Sequence, residues 1–447
     1  LSEFSEVFYL CSDEDDGGKG KFCIGGAFLD SQRDSQCEEG HTGILCSQCK
    51  DLYSRVAAGS EQCFPCQLGT SALGIPWIFS IIFVVTTLGM VFLFKKASEE
   101  TDEEEEEGAG VDDDMAETIA SSGALLEIGR RIRILLGFLQ VNSALSVAFN
   151  IPWPKSFISF THIFDFVNVD FMGLASPISP CNFELQYTQI FYLHMCVLPL
   201  LMLCTFIAVH LSRKLITSME NNIDQIRHVA VQVFNTGVFL LYPSICTRTF
   251  LLFRCREIGS DEYLIADYSL RCWEGNHLIA MVFAVLVLLI YILGIPAGYM
   301  YLLYRSRHQL DNKHVKIRYG SIYLSYEPQF WYWESVEMMK KMMLTGGVMV
   351  FPIDDSFQVL AGFFVAFAYF TLVTRLEPYE DIVDDRLQAS VSLILLTNLL
   401  MGALIDLDDG RKLDPNSVGS LLIVINIVPL VVVMILIYMS FKKVIVA

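Results

Sequence analysis

Charged side chains are scarce in this sequence: Asp, Glu, Lys and Arg make up 18% of 447 residues, against 53% apolar and 12% aromatic. That balance, with a positive mean hydropathy, excludes an ordinary soluble domain and places the chain in a bilayer. Basic residues are scarcer still, 31 Lys plus Arg against 50 Asp plus Glu, and nucleic acid is not expected among the partners. There is no N-x-S/T sequon, so glycosylation gives no check on which loops face outward. A phosphate-cradling glycine loop, a metalloprotease helix and a nucleophile elbow are missing too. An enzyme is therefore the least supported class, and no catalytic residue, cofactor or metal is assigned. No signal peptide precedes Leu1, and the sequence is expected to continue upstream in a longer protein.

Much of the net charge of −19 comes from one run, Glu99 to Glu117, in which like charges are dense enough to predict a solvated, disordered loop over 96–122. Attraction of cations or regulation is the alternative use of such a run.

The 13 cysteines divide by region. Cys11, Cys23, Cys37, Cys46, Cys49, Cys63 and Cys66 crowd a first segment, 1–70, that has too few aliphatic residues to build a core and therefore needs staples. From Cys37 the spacing is C-x8-C-x2-C-x13-C-x2-C, whose two CxxC pairs also suit a zinc site. Disulfides are the favoured reading because the topology below puts this segment outside the cell. Cys255 and Cys272 bound one loop, CREIGSDEYLIADYSLRC, and predict a disulfide across it, with two independent buried thiols as the alternative. Cys196, Cys204 and Cys246 lie within apolar runs and read as small apolar residues.

Runs of about 20 apolar residues predict about nine spans. They cover 74–94, 132–150, 187–210, 229–253, 277–304, 334–352, 357–375, 387–405 and 418–440. Lys95, Arg130, Arg131, Arg133, Arg213, Lys214, Arg305, Arg307, Arg375, Arg386, Lys442 and Lys443 then share one side, the cytoplasm, with the N-terminus outside and the C-terminus inside. The expected fold is an all-α polytopic membrane protein with a small disulfide-rich extracellular module at 1–70, a first span within 71–95 and a polytopic domain over 123–447. Segment 156–181 is apolar but carries Asp165 and Asp170; a crossing there would turn the later basic loops outward. It is expected to be re-entrant or interfacial, with Trp153 at the headgroup level.

Ionisable residues within spans are functional candidates, because a charge at the bilayer centre costs about 2.5–3.5 kcal/mol even on lenient scales. Glu334, Glu337, Lys340 and Lys341 recur at helical spacing and form a candidate gate or ion-path element; the alternative is an interfacial helix start with Trp331 and Trp333 at the headgroups and snorkelling lysines. Asp165 and Asp170 are candidates for cation binding at an outer vestibule, or solvated positions. Arg248 pairs with an acid on a neighbouring helix or snorkels, and His194 reads as an interhelical hydrogen-bonder. LGIPAG (293–298), Pro199, Pro243 and Pro429 predict irregular helices whose freed carbonyls line a path only where they face a cavity.

CEEGHTGILCSQCKDLYSRVAAGSEQCFPC resembles the cysteine-rich repeats of laminin-type (EGF-like) and ephrin-receptor-like modules. The resemblance implies bridges Cys37–Cys46 and Cys49–Cys63. FLQVNSALSVAFNIPWP, FVNVDF, YPSICTRTFLLFRC, LGIPAG and FWYWESVEMMKK are similar to the polytopic domain of protist and algal surface proteins, in which such a module precedes a TRP-like or polycystin-like membrane domain. That implies a cation channel or a mechanical or ligand sensor of the plasma or ciliary membrane, working as a homo-oligomer or in complex with an extracellular filament or ectodomain. The FPIDDSF link is too short for a pore helix and filter of the usual kind, so any path would run between helices. A second reading is a non-conducting multi-span anchor or adhesion receptor. A secondary transporter would show matched inverted repeats, and no duplication is visible.

Overall fold

Six helices among the described residues are long and apolar enough to cross a bilayer: Tyr187–Ile207, Ala230–Leu251, Gly275–Ser306, Phe357–Leu376, Ile382–Leu407 and Pro415–Lys442. The chain is therefore a multi-pass membrane protein. The structure, a computed structural model, describes residues 37–43, 46, 48–50, 53–55, 63–65, 113–168, 186–215, 221–258, 261–351, 357–408 and 414–446. Cys11, Cys23, Cys66, the expected span 74–94, the acidic residues before Asp113, and Asp170 lie outside the described residues.

The expected count of about nine spans differs from these six for physical reasons besides that coverage. Segment 334–352 forms a helix only over Trp333–Thr345, followed by a 3-10 turn at Gly347–Val350. The 13 helical residues cover about 20 Å, short of a hydrocarbon core about 30 Å thick. Segment 132–150 is the end of a longer helix, Asp113–Ala148, which is not among the six. That helix includes residues 113–122, where charge density predicts a disordered loop. Acidic residues favour a helix N-terminus, and the following apolar stretch propagates the helix.

The chain divides into two units. The first comprises Leu1–Phe83, Asp170–Met195 and Leu251–Leu286. In it β1 (His41–Thr42) pairs with β2 (Gln48–Cys49), and β3 (Tyr53–Arg55) pairs with β4 (Cys63–Pro65). Disulfides join Cys37 to Cys46 and Cys49 to Cys63. Gly40 has φ +89°, and a Cβ there would lie 2.5 Å from the Tyr53 ring, so the GHTG turn requires glycine on both counts. The buried His41 ring accepts the Cys63 N–H at Nε2 (3.2 Å) and donates from Nδ1 to the Cys46 carbonyl (3.2 Å), one neutral tautomer serving both disulfide loops.

Farther along, β5 (Cys255–Ile258), β6 (Asp261–Leu264) and β7 (Asp267–Arg271) form an antiparallel meander closed by the Cys255–Cys272 disulfide. Trp273 follows with φ +66°, a left-handed conformation unusual for a bulky residue. Its backbone N–H donates to His277 Nδ1 (3.0 Å) and its indole N–H to Glu262, while His277 Nε2 donates to the Leu252 carbonyl (3.0 Å). These bonds hold the turn against its backbone preference.

The second unit comprises Val84–Val169, Cys196–Phe250 and Val287–Ala447. Along the whole chain, helices α1 (Asp113–Ala148), α2 (Lys155–His162), α3 (Tyr187–Leu215, in the first unit through Met195) and α4 (Asn221–Leu251) precede α5 (Gly275–Val287, in the first unit through Leu286), which passes through a π-helical turn, Leu288–Leu293, into α6 (Gly294–Ser306). Then come α7 (Lys313–Tyr323), α8 (Trp333–Thr345), α9 (Phe357–Leu376), α10 (Ile382–Asp408) and α11 (Pro415–Val446). Pro296 cannot donate to the carbonyl of Ile292 four residues back, and its ring crowds that oxygen; the π turn relieves the clash, and the Tyr242 hydroxyl donates to the released carbonyl (2.7 Å).

Small residues bring the second unit's helices together. A Cβ on Gly362 would lie 2.4 Å from Phe149, and one on Gly402 would lie 2.7 Å from Ile151. Asn398 on α10 donates to Asn142 on α1 (2.8 Å) and Asn426 on α11 (2.9 Å), all three fully buried. Trp153, expected at the headgroups, is buried: it lies against Gly402 and 5.3 Å from the Phe157 ring. Apolar packing accounts for its position.

Candidate functional site

On α8 the charged residues come from one sequence rule, helical spacing. Glu334, Glu337 and Lys341 fall at i, i+3 and i+7 and share a face. On α1, Arg133 and Gln140 are also seven apart, with Gly137 between them. The two rows meet in register: Arg133 donates to Glu334 (2.8 Å) and Lys341 donates to Gln140 Oε1 (2.9 Å). Gly137 leaves room for this approach, since a Cβ there would already touch Lys341 Cε at 3.4 Å.

Each carboxylate is then completed by neutral donors. Glu334 also accepts from the Tyr326 hydroxyl (2.9 Å), and Arg133 donates to the Ser321 carbonyl (3.0 Å). Glu337 accepts from Lys340 (2.6 Å), from Gln388 (2.9 Å) and from the Tyr369 hydroxyl. Lys340 lies over the Tyr369 ring at 4.0 Å and Lys341 over the Phe239 ring at 3.6 Å. The residues come from α1, α4, α7, α8, α9, α10 and the segment before α8. In a bilayer such charges persist only when paired and fully hydrogen-bonded.

A neighbouring group fixes the start of α10. Asp384, fully buried, lies between Arg130 (3.0 Å) and Arg131 (3.3 Å), while Arg131 reaches Asp381 (3.3 Å) and Ser440 on α11 (2.6 Å). Tyr379, just before α10, has its backbone N–H on Asp385 (2.9 Å). The phenols of Tyr326 and Tyr379 are raised well above the usual range, by burial first and by neighbouring groups second, so both stay protonated as donors. Between the two groups lies a cavity with about 30 Å³ of room for water centres, lined by Arg133, Gly137, Phe239, Glu337, Lys341 and Gln388 among others.

The structure thus brings together Glu334, Glu337, Lys340 and Lys341. Trp333 is 1% exposed and Lys341 3%, so both side chains are held among the helices of this unit. Arg248 is half-buried on α4 and does not line the cavity; Asp165 opens a 3-10 turn, Asp165–Asn168. His194 is buried on α3. Sequence reading passes over Gln140, Tyr326, Tyr369, Tyr379 and Gln388, whose only signal is a polar residue within or beside an apolar helix.

In the first unit, Cys255, Cys272 and His277 place their ligand atoms within 4.8 Å of one another. The sulfurs are bonded to each other and both ring nitrogens hold backbone groups, so the set is a structural clasp and does not fit a metal in this state.

No family model matches the chain, and no solved structure matches it. Among curated proteins, Cysteine repeat modular protein A of Toxoplasma gondii is 24% identical over 123 residues, which cover 26% of this chain and 4% of that protein. The disulfide pairs near the N-terminus fit a cysteine-rich module.

Proposed function

We propose that the chain is the multi-span membrane section of a large cysteine-rich surface protein and works as an anchor of receptor type. Its disulfide module faces the outside, its C-terminus lies in the cytoplasm, and it ties an extracellular structure to the plasma or ciliary membrane. One observation carries this reading: Glu334 and Glu337 are fully engaged by Arg133, Lys340, Tyr326, Tyr369 and Gln388, and the space beside them amounts to about 30 Å³. Charges arranged that way lock helices together, whereas a conducting path needs water-exposed groups along its length. The partial likeness to a protein named for modular cysteine repeats supports the same reading.

A second reading is a TRP-like or polycystin-like cation channel, in which Glu337 and Lys340 form a closed gate. The burial of two carboxylates inside the helix bundle favours it. Recordings from proteoliposomes under voltage, calcium and membrane tension separate the two. The anchor gives no unitary current; unitary currents altered by Glu337→Gln overturn it in favour of the channel.

A further inference from the structure

The basic residues between α6 and α7 take no part in the buried cluster at α8. Residues 305–318 hold five Lys and Arg against one acid, Asp311. Arg305, Arg307, Lys316 and Arg318 are exposed, and no carboxylate among the described residues lies in ion-pair range of these three arginines. Lys316 reaches Asp311 at 3.5 Å, but both side chains are open to solvent and such a pair is weak. Acids on the adjoining links are engaged otherwise: Glu380, Asp381 and Asp384 pair with Arg130 and Arg131, and Glu327 accepts from Gln329 (2.6 Å).

Two features fix where this corner sits. First, α6 ends the Gly275–Ser306 span, so Arg305 and Arg307 stand where the apolar stretch gives out. Tyr301 and Tyr304 are exposed there; Tyr304 packs on Trp331 (ring centroids 6.2 Å) and lies under the Arg307 guanidinium at 4.2 Å. Aromatic rings at a span end mark the headgroup level. Second, α7 is packed back onto that span end: Leu303, Leu310, Ile322 and Tyr323 form one buried cluster with Val315 and Tyr319 against it, and the Tyr323 hydroxyl donates to the Leu310 carbonyl (2.6 Å). By helical spacing Lys316 and Arg318 flank this packed stripe on either side, which keeps their charges beside the two arginines.

We propose that the α6–α7 corner is a docking surface for anionic phospholipid headgroups of the leaflet that it faces. Charge sets the class: guanidinium groups without a carboxylate partner match phosphate oxygens in number of donors and in shape. Position sets the source, because the span end and the aromatic rings hold the corner among headgroups and not out in solution. Each Lys or Arg brought against an anionic leaflet strengthens the contact about fivefold. In the orientation proposed above this is the cytoplasmic leaflet, and the docking holds whether the chain anchors or conducts.

The test is amide exchange of the whole chain in nanodiscs of phosphatidylcholine, with or without phosphatidylserine of the same acyl chains. Phosphatidylserine slows exchange across 305–318 by about fivefold or more and leaves the Cys255–Arg271 hairpin unchanged. Potassium chloride at about 1 M, where charges are screened beyond about 3 Å, removes the slowing. Changing Arg305, Arg307, Lys316 and Arg318 together to Gln abolishes it, whereas Arg256→Gln with Arg271→Gln on the hairpin does not. Should the fourfold variant fail to fold, the paired change Arg305→Gln with Lys316→Gln leaves two of the exposed cations and weakens the slowing. Equal exchange across 305–318 in the two lipids overturns the proposal, as does slowing that survives the fourfold change, survives the paired change at full strength or survives high salt. Soluble glycerophosphoserine added to phosphatidylcholine discs has no effect; slowing by it assigns the corner to a free phosphate ester and overturns lipid docking. Slowing by an acidic peptide where phosphatidylserine gives none overturns it in favour of a soluble protein partner.

Discussion

The disulfide-bearing unit and the helical unit both bury polar groups, and they satisfy them differently. In the first, histidines act as neutral connectors: His41 joins two disulfide loops, and His277 joins the Trp273 turn to the Leu252 carbonyl. Each of these four histidine bonds has a backbone group as partner, and covalent bridges fix nearby loops. In the second, the connectors are charged side chains from residues about 200 positions apart, such as Arg133 with Glu334 and Lys341 with Gln140. No covalent bond holds them. The first arrangement tolerates loss of a polar partner because the chain is already constrained, whereas the second leaves a bare charge in an apolar setting.

That contrast can be broken by experiment. The largest effect is expected from Glu337→Gln, which leaves Lys340 buried beside neutral partners and costs about 3–5 kcal/mol in unfolding titrations of the reconstituted protein. The double change Glu337→Leu with Lys340→Met costs less than the single one; an equal or larger loss would mean that packing, not charge, sets the cost. Removing the Cys255–Cys272 bridge by Cys255→Ser opens a loop with sequence separation 17 and costs about 3 kcal/mol. Amide exchange should quicken at residues 255–272 and stay unchanged across α8. Spread of the faster exchange into α8 would erase the distinction between the units.

Smaller effects sharpen the picture. Asn398→Leu removes both interhelical amide links and is expected to cost about 0.6–1.7 kcal/mol, measured by the same unfolding titrations. The smallest effect concerns Asp414, which caps α11 by accepting from the Ser417 N–H (2.9 Å) and hydroxyl (2.7 Å). These bonds hold its carboxyl below the usual range. A depressed folded pKa means the cap is at full strength above the ordinary carboxylate range and is lost as pH falls through the lowered value. Exchange at Ser417 should therefore quicken only in strong acid, and not at all in Asp414→Ala, where the cap is already gone.

How much of this was legible depends on the kind of signal. Glu334, Glu337, Lys340 and Lys341 stand out because charges in an apolar run are rare. Their partners do not, since Gln140, Tyr369 and Gln388 are single neutral residues in helices whose apolar pattern hides them, and no local rule pairs positions so far apart. The long apolar spans were readable from hydropathy alone, yet α8 was not, because hydropathy counts residues and cannot see where Gly346 ends the helix. The packing of Trp153 was hidden for a related reason: tryptophan suits an interface and a core equally, and no local signal shows the gap over Gly402 that it fills.

The π-helical turn in the Gly275–Ser306 span has a mechanical consequence. A proline kink in a lone helix is a soft joint, free to flex about the missing hydrogen bond. Here the oxygen that Pro296 releases is gripped by Tyr242, and the Pro296 carbonyl itself accepts from Ser335 on α8 (3.0 Å). The joint is thus pinned on both sides of the proline, to two different helices. A pull along this span is passed sideways to α4 and α8 as a lever passes load through its pivot, and the pivot at Ser335 sits one residue from Glu334.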